Sequence, residues 1–401
     1  MAKRFFNGFF GNRQHSVIGP IPKFVSVLYA YVVFQHLLDR KFGERSRELL
    51  FRIGKALGKS ITAKLKHGLK LDRKRVLENL FKDFEALGFG KTTITRMSFT
   101  TPSCHLTNNS PLAKQWKRSF GTQQEPVNHF LAGLYAGAFS LLSGTDCHFE
   151  EVGCAVHQGD RCRFRLVTQD PYQGFFSQEE LDEDLTWDNL YSSTVAEYPN
   201  TLIQRVVATK QIRLEEGHLS VFNILAHFFP LNVYEIIPRT LRAKGFDITP
   251  ELSYLTHVQA KHAVLFQVNN FGVAKGDESF KAVLNQLYFC GIGKIEVEES
   301  TPRRIVVRCG HSYPLVQYRN MVGTSSGFRD WFVEGMIVGA ATHSYDVAVT
   351  ACESAIKGED VTYTLRLDGG KGLVEKEKEK LPPSLRQLID QRMGRKYYLL
   401  S

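Results

Sequence analysis

Apolar positions along this chain follow two periods. Phe24 to Leu38 is apolar nearly all round and predicts a buried first helix. Arg45 to Leu69 carries Leu49, Leu50, Ile53, Leu57, Ile61 and Leu65 near helical spacing with cations between them, so it predicts a basic amphipathic helix. Asp72 is placed to cap a third helix, Arg73 to Leu87, which Gly88 ends. Lys91 to Phe99 is β-branched and predicts a strand. Beyond Phe130, Gly133, Gly137 and Ala132, Ala136 and Ala138 lie three to four apart on one helical face, small enough for a second backbone to come close. Cys147 to Val156 then alternates as a strand does. The turn HQGD offers a glycine for positive φ, and RCRFRL returns as the partner strand.

Much of this pattern occurs twice. Phe130 to Leu166 is echoed by Trp331 to Leu367: Gly133/Gly137 by Gly335/Gly339, Gly159-Asp160 by Gly358-Glu359, and Phe164/Leu166 by Tyr363/Leu365. Upstream, SPLAKQWKRSFG pairs with YPLVQYRNMVG, and FEALGFGKTTI with NQLYFCGIGKIEV. Two long copies in the same order predict a duplicated domain, because solenoid units are shorter and more numerous. The expected organisation is a basic, aromatic arm over 1–23, a first domain over 24–166 and an acidic linker with a hairpin over 167–217. A more degenerate second domain spans 218–367, and a charged run with a C-terminal helix spans 368–401. His218 to Phe229, again apolar all round, is expected to match the first helix. Ser384 is the expected N-cap of the last helix, which shows a short stripe of Leu385, Leu388 and Ile389.

The succession ALGFGKTTI, SPLA, EPVNHFLAGLYAG and EEVGCAVHQGDRCRF resembles the V4R (4-vinyl-reductase-type) domain family. That family is related in fold to the Bet3-like subunits of the TRAPP tethering complex and to the effector-binding domains of phenol-sensing transcription activators. The resemblance implies an α/β (α+β) chain of two lobes, each a twisted antiparallel sheet with helices packed on one face around an apolar pocket. It also implies a homodimer formed through the N-terminal helices. Cys104, His105, Trp116, Phe130 and Tyr135 are candidates to line that pocket, and equally to be plain core.

Glu151-x2-Cys154-x7-Cys162 offers two thiolates and a carboxylate, a donor set that suits tetrahedral Zn²⁺. The bland alternative is buried cysteines in a hairpin. The phenol-sensor branch carries a structural zinc on a Glu and two Cys at this spacing. Its remaining Cys falls here on Asn128, a poor zinc ligand. Cys147, His148 or His129 is left to substitute, and Cys147 completes the expected set in the first domain only. The second copy has Val361 where Cys162 stands and is expected to be metal-free, although it keeps Cys352.

Charge narrows the partners. Residues 1–96 hold 20 Lys and Arg against 7 Asp and Glu, an excess of 13, while the whole chain carries +10. The rest is slightly acidic. The excess suits an anionic membrane surface or an acidic protein face, unless the acidic linker folds back and consumes it. Seven cysteines in 401 residues are too few for a disulfide scaffold. With no convincing secretory signal and no apolar run long enough to cross a bilayer, the expectation is a cytoplasmic protein, peripheral at most. No nucleophile elbow, phosphate loop, dinucleotide fingerprint or recognition helix is present, so catalysis and nucleic-acid binding are not expected. Three functions remain: a scaffold or assembly subunit bound to other proteins, a carrier or sensor of a hydrophobic or tetrapyrrole-like molecule, and an enzyme of tetrapyrrole metabolism suggested by the family's name alone.

Overall fold

The computed structural model describes residues 23–69, 72–157, 159–172, 174–190, 212–215, 218–221, 224–289, 292–367 and 370–393. Nearly all of the expected N-terminal arm, the strand expected over 201–209 and the end of the C-terminal tail lie outside the described residues. The chain divides into two units, one of Ser26–Phe229 and one of Lys23–Val25 with Pro230–Lys396.

The chain enters through strand β1 (Lys23–Val27) and helix α1 (Leu28–Phe42). Val25 and Val27 are β-branched and their segment is extended, so the expected helix starts at Leu28 rather than Phe24. Helices α2 (Glu44–Leu69) and α3 (Arg73–Ala86) follow. Asp72 caps α3, accepting a hydrogen bond from the Arg75 N–H at 3.0 Å. Strands β2 (Thr92–Ser98) and β3 (Ser103–Asn108), helices α4 (Pro111–Phe120) and α5 (His129–Ser143), and strands β4 (His148–Gly153) and β5 (Cys162–Val167) complete the lobe. Its antiparallel sheet has the order β2-β3-β5-β4.

Two helices set the depth of this lobe. A Cβ added to Gly133 of α5 would lie 2.0 Å from the Phe51 carbonyl oxygen of α2, and one on Gly137 would lie 2.0 Å from that of Lys55. The contact is reciprocal. Gly54 and Gly58 of α2 meet the Phe130 and Leu134 carbonyl oxygens at 2.2 and 2.3 Å in the same sense. Four glycines therefore bring two backbones into direct contact, which no larger residue permits. Gly54 and Gly58 show the same four-residue spacing in the sequence, set among the apolar positions of the amphipathic helix.

Residues 169–190 do not hang between domains; they strap onto α2. The Arg52 guanidinium bridges Glu48 (2.8 Å) and Asp170 (2.9 Å), and Glu48 also accepts the Phe176 N–H at 3.2 Å. Helix α6 (Gln178–Asp184) brings Asp182 to Lys59, and Ser60 donates to the Leu185 carbonyl. Arg45 stacks over Phe175 at 4.4 Å, and Lys64 over Trp187 in α7 (Trp187–Leu190) at 5.3 Å. Much of the basic excess of α2 is thus paired inside its own unit.

Strands β6 (Ile212–Glu215), β7 (His218–Val221) and β8 (Ile224–Pro230) are antiparallel neighbours. The helix expected over His218 to Phe229 is therefore two strands. Asn223 interrupts the apolar run, and Pro230 stands directly before helix α8 (Leu231–Ala243), where a fixed φ suits a helix start. The division between units falls at Phe229/Pro230, beyond the expected boundary at 217/218.

The second unit repeats the element order of the first. Helices α9 (Thr249–Phe271) and α10 (Asp277–Phe289) precede β9 (Lys294–Ser300) and β10 (Arg304–Gly310). Helices α11 (Tyr313–Val322) and α12 (Trp331–Tyr345) then lead to β11 (Ala351–Lys357) and β12 (Asp360–Arg366). The sheet order β9-β10-β12-β11 corresponds strand for strand with that of the first lobe. Here Gly335 and Gly339 of α12 face Thr256, His257 and Ala260 of α9, so one helix alone supplies the glycines. Helices α13 (Leu373–Lys380) and α14 (Pro383–Met393) close the chain. Helix α14 begins at Pro383, which places Ser384 inside its first turn rather than at the cap. It docks on α9, with Ile389 and Met393 buried and the Tyr254 hydroxyl donating to Asp390 at 2.5 Å.

Replacing Gly137 by Ala is expected to cost about 3 kcal/mol, because two backbones must separate. Gly339→Ala, which meets the Ala260 methyl as well as backbone, should cost less. Thermal or urea unfolding of the two variants measures the difference.

Candidate metal centre and its surroundings

The carboxylate of Glu151 and the thiols of Cys154 and Cys162 come together, with one ligand atom from each lying within 4.8 Å of the others. All three residues are buried. A register shift between Glu151 and Gly153 ends β4 and throws the chain outward, so that Cys154 stands at the end of β4 opposite Cys162 at the start of β5. Their sulfurs are 3.9 Å apart. The turn residue Gln158 lies outside the described residues; Gly159 beside it has φ +81°.

Asn128 stands immediately before α5 and closes the cluster. Its amide nitrogen donates to Glu151 Oε1 at 2.7 Å and to Cys162 Sγ at 3.2 Å. Its backbone N–H, at 3.0 Å, and that of Val127, at 3.2 Å, both donate to Glu151 Oε2. The amide orientation follows from Ser110. That hydroxyl already accepts the Ala113 N–H, so its proton goes to Asn128 Oδ1 at 2.6 Å. The NH2 group must then face the carboxylate and the thiol. Burial pushes the Glu151 carboxyl above its usual range, opposed by the donors from Cys162 and Asn128. The Cys162 thiol is held far up by its contact with Cys154, by burial and by Glu151.

These residues do not complete a zinc site. Three atoms are of the right kind, but the fourth corner holds N–H donors where a cation needs a lone pair. The proposed substitutes are elsewhere. Cys147 precedes β4, its sulfur 3.2 Å from the Thr145 carbonyl and 3.7 Å from the Ser143 hydroxyl, so it does not join the set. His148 faces Asp146 (3.3 Å) and Asp170 (3.7 Å). His129 meets the Tyr172 hydroxyl at 3.0 Å, and burial pulls its pKa down to about 4.

The second unit has no such loop. β11 and β12 pair without a shift through Lys357↔Asp360, leaving only Gly358-Glu359 to turn. Val361 occupies the Cys162 position. Cys352 pairs with Leu365 as Phe149 does with Leu166, so it is not a counterpart of Cys154. In place of Asn128 stands Asp330, whose side chain caps α12 at the Val333 N–H (2.9 Å) and lies 3.5 Å from the Tyr363 hydroxyl. Burial, with Glu334 nearby, pushes its pKa up to about 7. Glu235 of α8 is likewise raised by burial and by Asp330.

The pocket candidates of the first lobe are mostly core. Cys104, Trp116, Phe130 and Tyr135 are buried, whereas His105 is exposed. The Tyr135 ring meets Phe81, Phe149 and Phe164 edge-on, and its hydroxyl lies 2.7 Å from Thr92 Oγ1. A space beside Tyr31, Phe89 and Phe130 amounts to about 10 Å³, room for roughly one water.

Residues 107–168 match the V4R domain family. The V4R segment runs from the end of β3 through β5, and so contains Asn128, Glu151, Cys154 and Cys162. No curated protein sequence matches the chain. Among solved structures, the phenol-responsive sensory domain of the transcription activator PoxR with phenol is 19% identical, with a TM-score of 0.34, covering 39% of this chain and 81% of that one. Among the described residues no helix is long and apolar enough to cross a membrane.

Asn128→Cys should restore a fourth ligand. The variant is expected to purify with about one zinc per chain by elemental analysis, and the unaltered protein with clearly less. The raised pKa of Asp330 makes the second unit pH-sensitive. Its ordinary value is 3.8 and its folded value about 7, so its contribution is complete below about pH 4 and lost as pH rises through 7. Asp330→Asn keeps an acceptor at the cap and should remove a stability loss on the order of 3 kcal/mol across that window, read by thermal unfolding at stepped pH.

Proposed function

We propose that this chain is a non-catalytic binding protein whose two lobes act as a scaffold for other proteins. The observation that carries this reading is the filled interior of the V4R lobe. Tyr135 plugs the space between α5 and the sheet with its ring, and its hydroxyl is already engaged by Thr92. Among the described residues, the void lined by Phe130 is far below the several hundred Å³ of an ordinary ligand site, and the larger space between α3 and β2 is an open groove at the sheet edge. A lobe packed this way offers surfaces rather than an interior. Asn128 supports the same view, since its amide proton donors do mechanically what a zinc ion would do, tying hairpin to helix. On this reading the cluster is a structural clasp, and zinc, if taken up, binds through three protein ligands without a catalytic role.

A second reading is supported by the V4R match itself: binding or sensing of a small hydrophobic molecule, with the gap lined by Leu28, Tyr31, Phe89 and Phe130 widening around it. A tetrapyrrole enzyme rests on the family's name alone. The strapping of residues 169–190 over α2 weakens the case for an anionic membrane as the main partner, because Arg52 and Lys59 are already paired.

Native mass spectrometry and absorbance of the chain purified from its own host separate these readings. The scaffold reading expects the bare polypeptide mass together with a protein partner at fixed stoichiometry. A bound chromophore or lipid that dissociates on unfolding would replace it with the second reading. Tyr135→Ala, which opens the interior, should cost roughly 3–5 kcal/mol without gain or loss of any small molecule if the interior is only core.

A further inference from the structure

The same strand forms one edge of the sheet in both lobes, and the two copies have opposite charge. β2 and β9 are equivalent edge strands. Each carries one extra residue against its neighbour: Thr95 between Ile94 and Arg96, and Glu298 between Val297 and Glu299. Aligned on that residue, Lys91 corresponds to Lys294. Thr93, Thr95 and Arg96 then correspond to Glu296, Glu298 and Glu299.

The β9 edge is guarded as edges usually are, by a row of charges. Its glutamates pair only with exposed cations of the same sheet, Glu296 with Lys294 at 2.6 Å and with Arg308 at 3.6 Å, Glu298 with Arg308 at 3.5 Å and Glu299 with Arg304 at 3.2 Å. All of these side chains are well exposed, and pairs of this kind hold little energy. β2 has no such guard. Thr92, Thr93, Ile94 and Thr95 form an uncharged, largely β-branched run. Beside it lies a groove of about 560 Å³ between α3 and β2. Lys82, Lys91 and Arg96 line this groove, are exposed, and make no ion pair among the described residues. Lys74 is 3.9 Å from Glu78. With Glu85 also on the wall, the groove holds four cations and two carboxylates.

An edge strand presents unpaired N–H and C=O groups that a further strand satisfies, and flanking charge selects which strand. We propose that β9 of one copy of this chain adds to the edge of β2 of another, which pairs with no further strand among the described residues, its glutamates facing the cations of the α3–β2 groove. β2 and β9 are different surfaces, so each copy offers both halves of the contact and unlike strands meet in it. The assembly goes beyond any partner the lobes hold as a scaffold, and it stands if that partner proves to be a small molecule.

Sedimentation velocity on the full chain, from about 1 to 100 µM, tests it. At low salt the mean mass should rise with concentration, and it should fall back in about 0.5 M sodium chloride, where exposed charges are screened. Lys91→Glu with Arg96→Glu should weaken association at least about tenfold, and so should Glu296→Lys with Glu299→Lys. Mixed in equal amounts, the two double variants should associate again, because each retains the strand the other needs. Lys82→Glu on α3 should act in the same direction without touching either strand, and circular dichroism confirms that each variant is folded. A chain that stays monomeric throughout, association indifferent to salt or to either double variant, or variants that fail to recover on mixing would each overturn the proposal.

Discussion

The contact between α2 and α5 sets everything else in the first lobe. Carbonyl oxygens of Phe51, Lys55, Phe130 and Leu134 lie where side chains would normally begin, and only glycine at four facing positions allows it. With α5 held this close to α2, its N-terminal end lies over the start of β5. Asn128 can then reach Glu151 and Cys162 from the helix cap. The clasp is therefore a consequence of helix packing as much as of its own hydrogen bonds. Lys55 shows the same constraint: its side chain is buried throughout and ends 2.8 Å from the exposed carboxylate of Asp146.

Duplication followed by unequal drift accounts for the contrast between the lobes. The second lobe keeps the order of helices and strands but replaces two glycines of the contact with residues that carry side chains, among them Thr256 and Ala260. It shortens the loop that holds Cys154 and Cys162 to a two-residue turn. At the helix cap it has Asp330 in place of Asn128. The loop and the thiol that the Asn128 amide serves in the first lobe have no counterpart here. A carboxylate that caps the helix and meets Tyr363 fills the position instead, at the cost of burying a charge beside Glu235.

Periodicity made the helices and the doubled topology legible. Asp72, Gly88 and the small-residue face of α5 all act as their residue types suggest. What escaped was decided by context. Val25, Val27 and the run from His218 to Phe229 have side chains that suit either buried helix or strand, and strand pairing across β6, β7 and β8 chose between them. The trio Glu151, Cys154 and Cys162 was readable from spacing. Cys147 was not separable from it by sequence, because only the bulge after Glu151 fixes which end of β4 the ligands share. The role of Asn128 was half-visible: as a poor ligand it argued against a complete metal set, but its two donors to the cluster are apparent only in three dimensions. The acidic segment after Gln169 stands between the two copies as a linker that is free in sequence to fold back on the basic first quarter, and its paired charges make it part of the first lobe.

That strap has a consequence for how the protein is made. Glu48 and Arg52 are buried within α2, yet Asp170 and the Phe176 amide that complete their pairing arrive more than a hundred residues later. During synthesis the long helix emerges with part of a charge network unanswered, and the V4R segment ending at 168 is finished before the answer appears. The first lobe is therefore complete only when the chain has extended past Phe176, and a fragment stopping at 168 lacks both later partners of the Glu48–Arg52 pair.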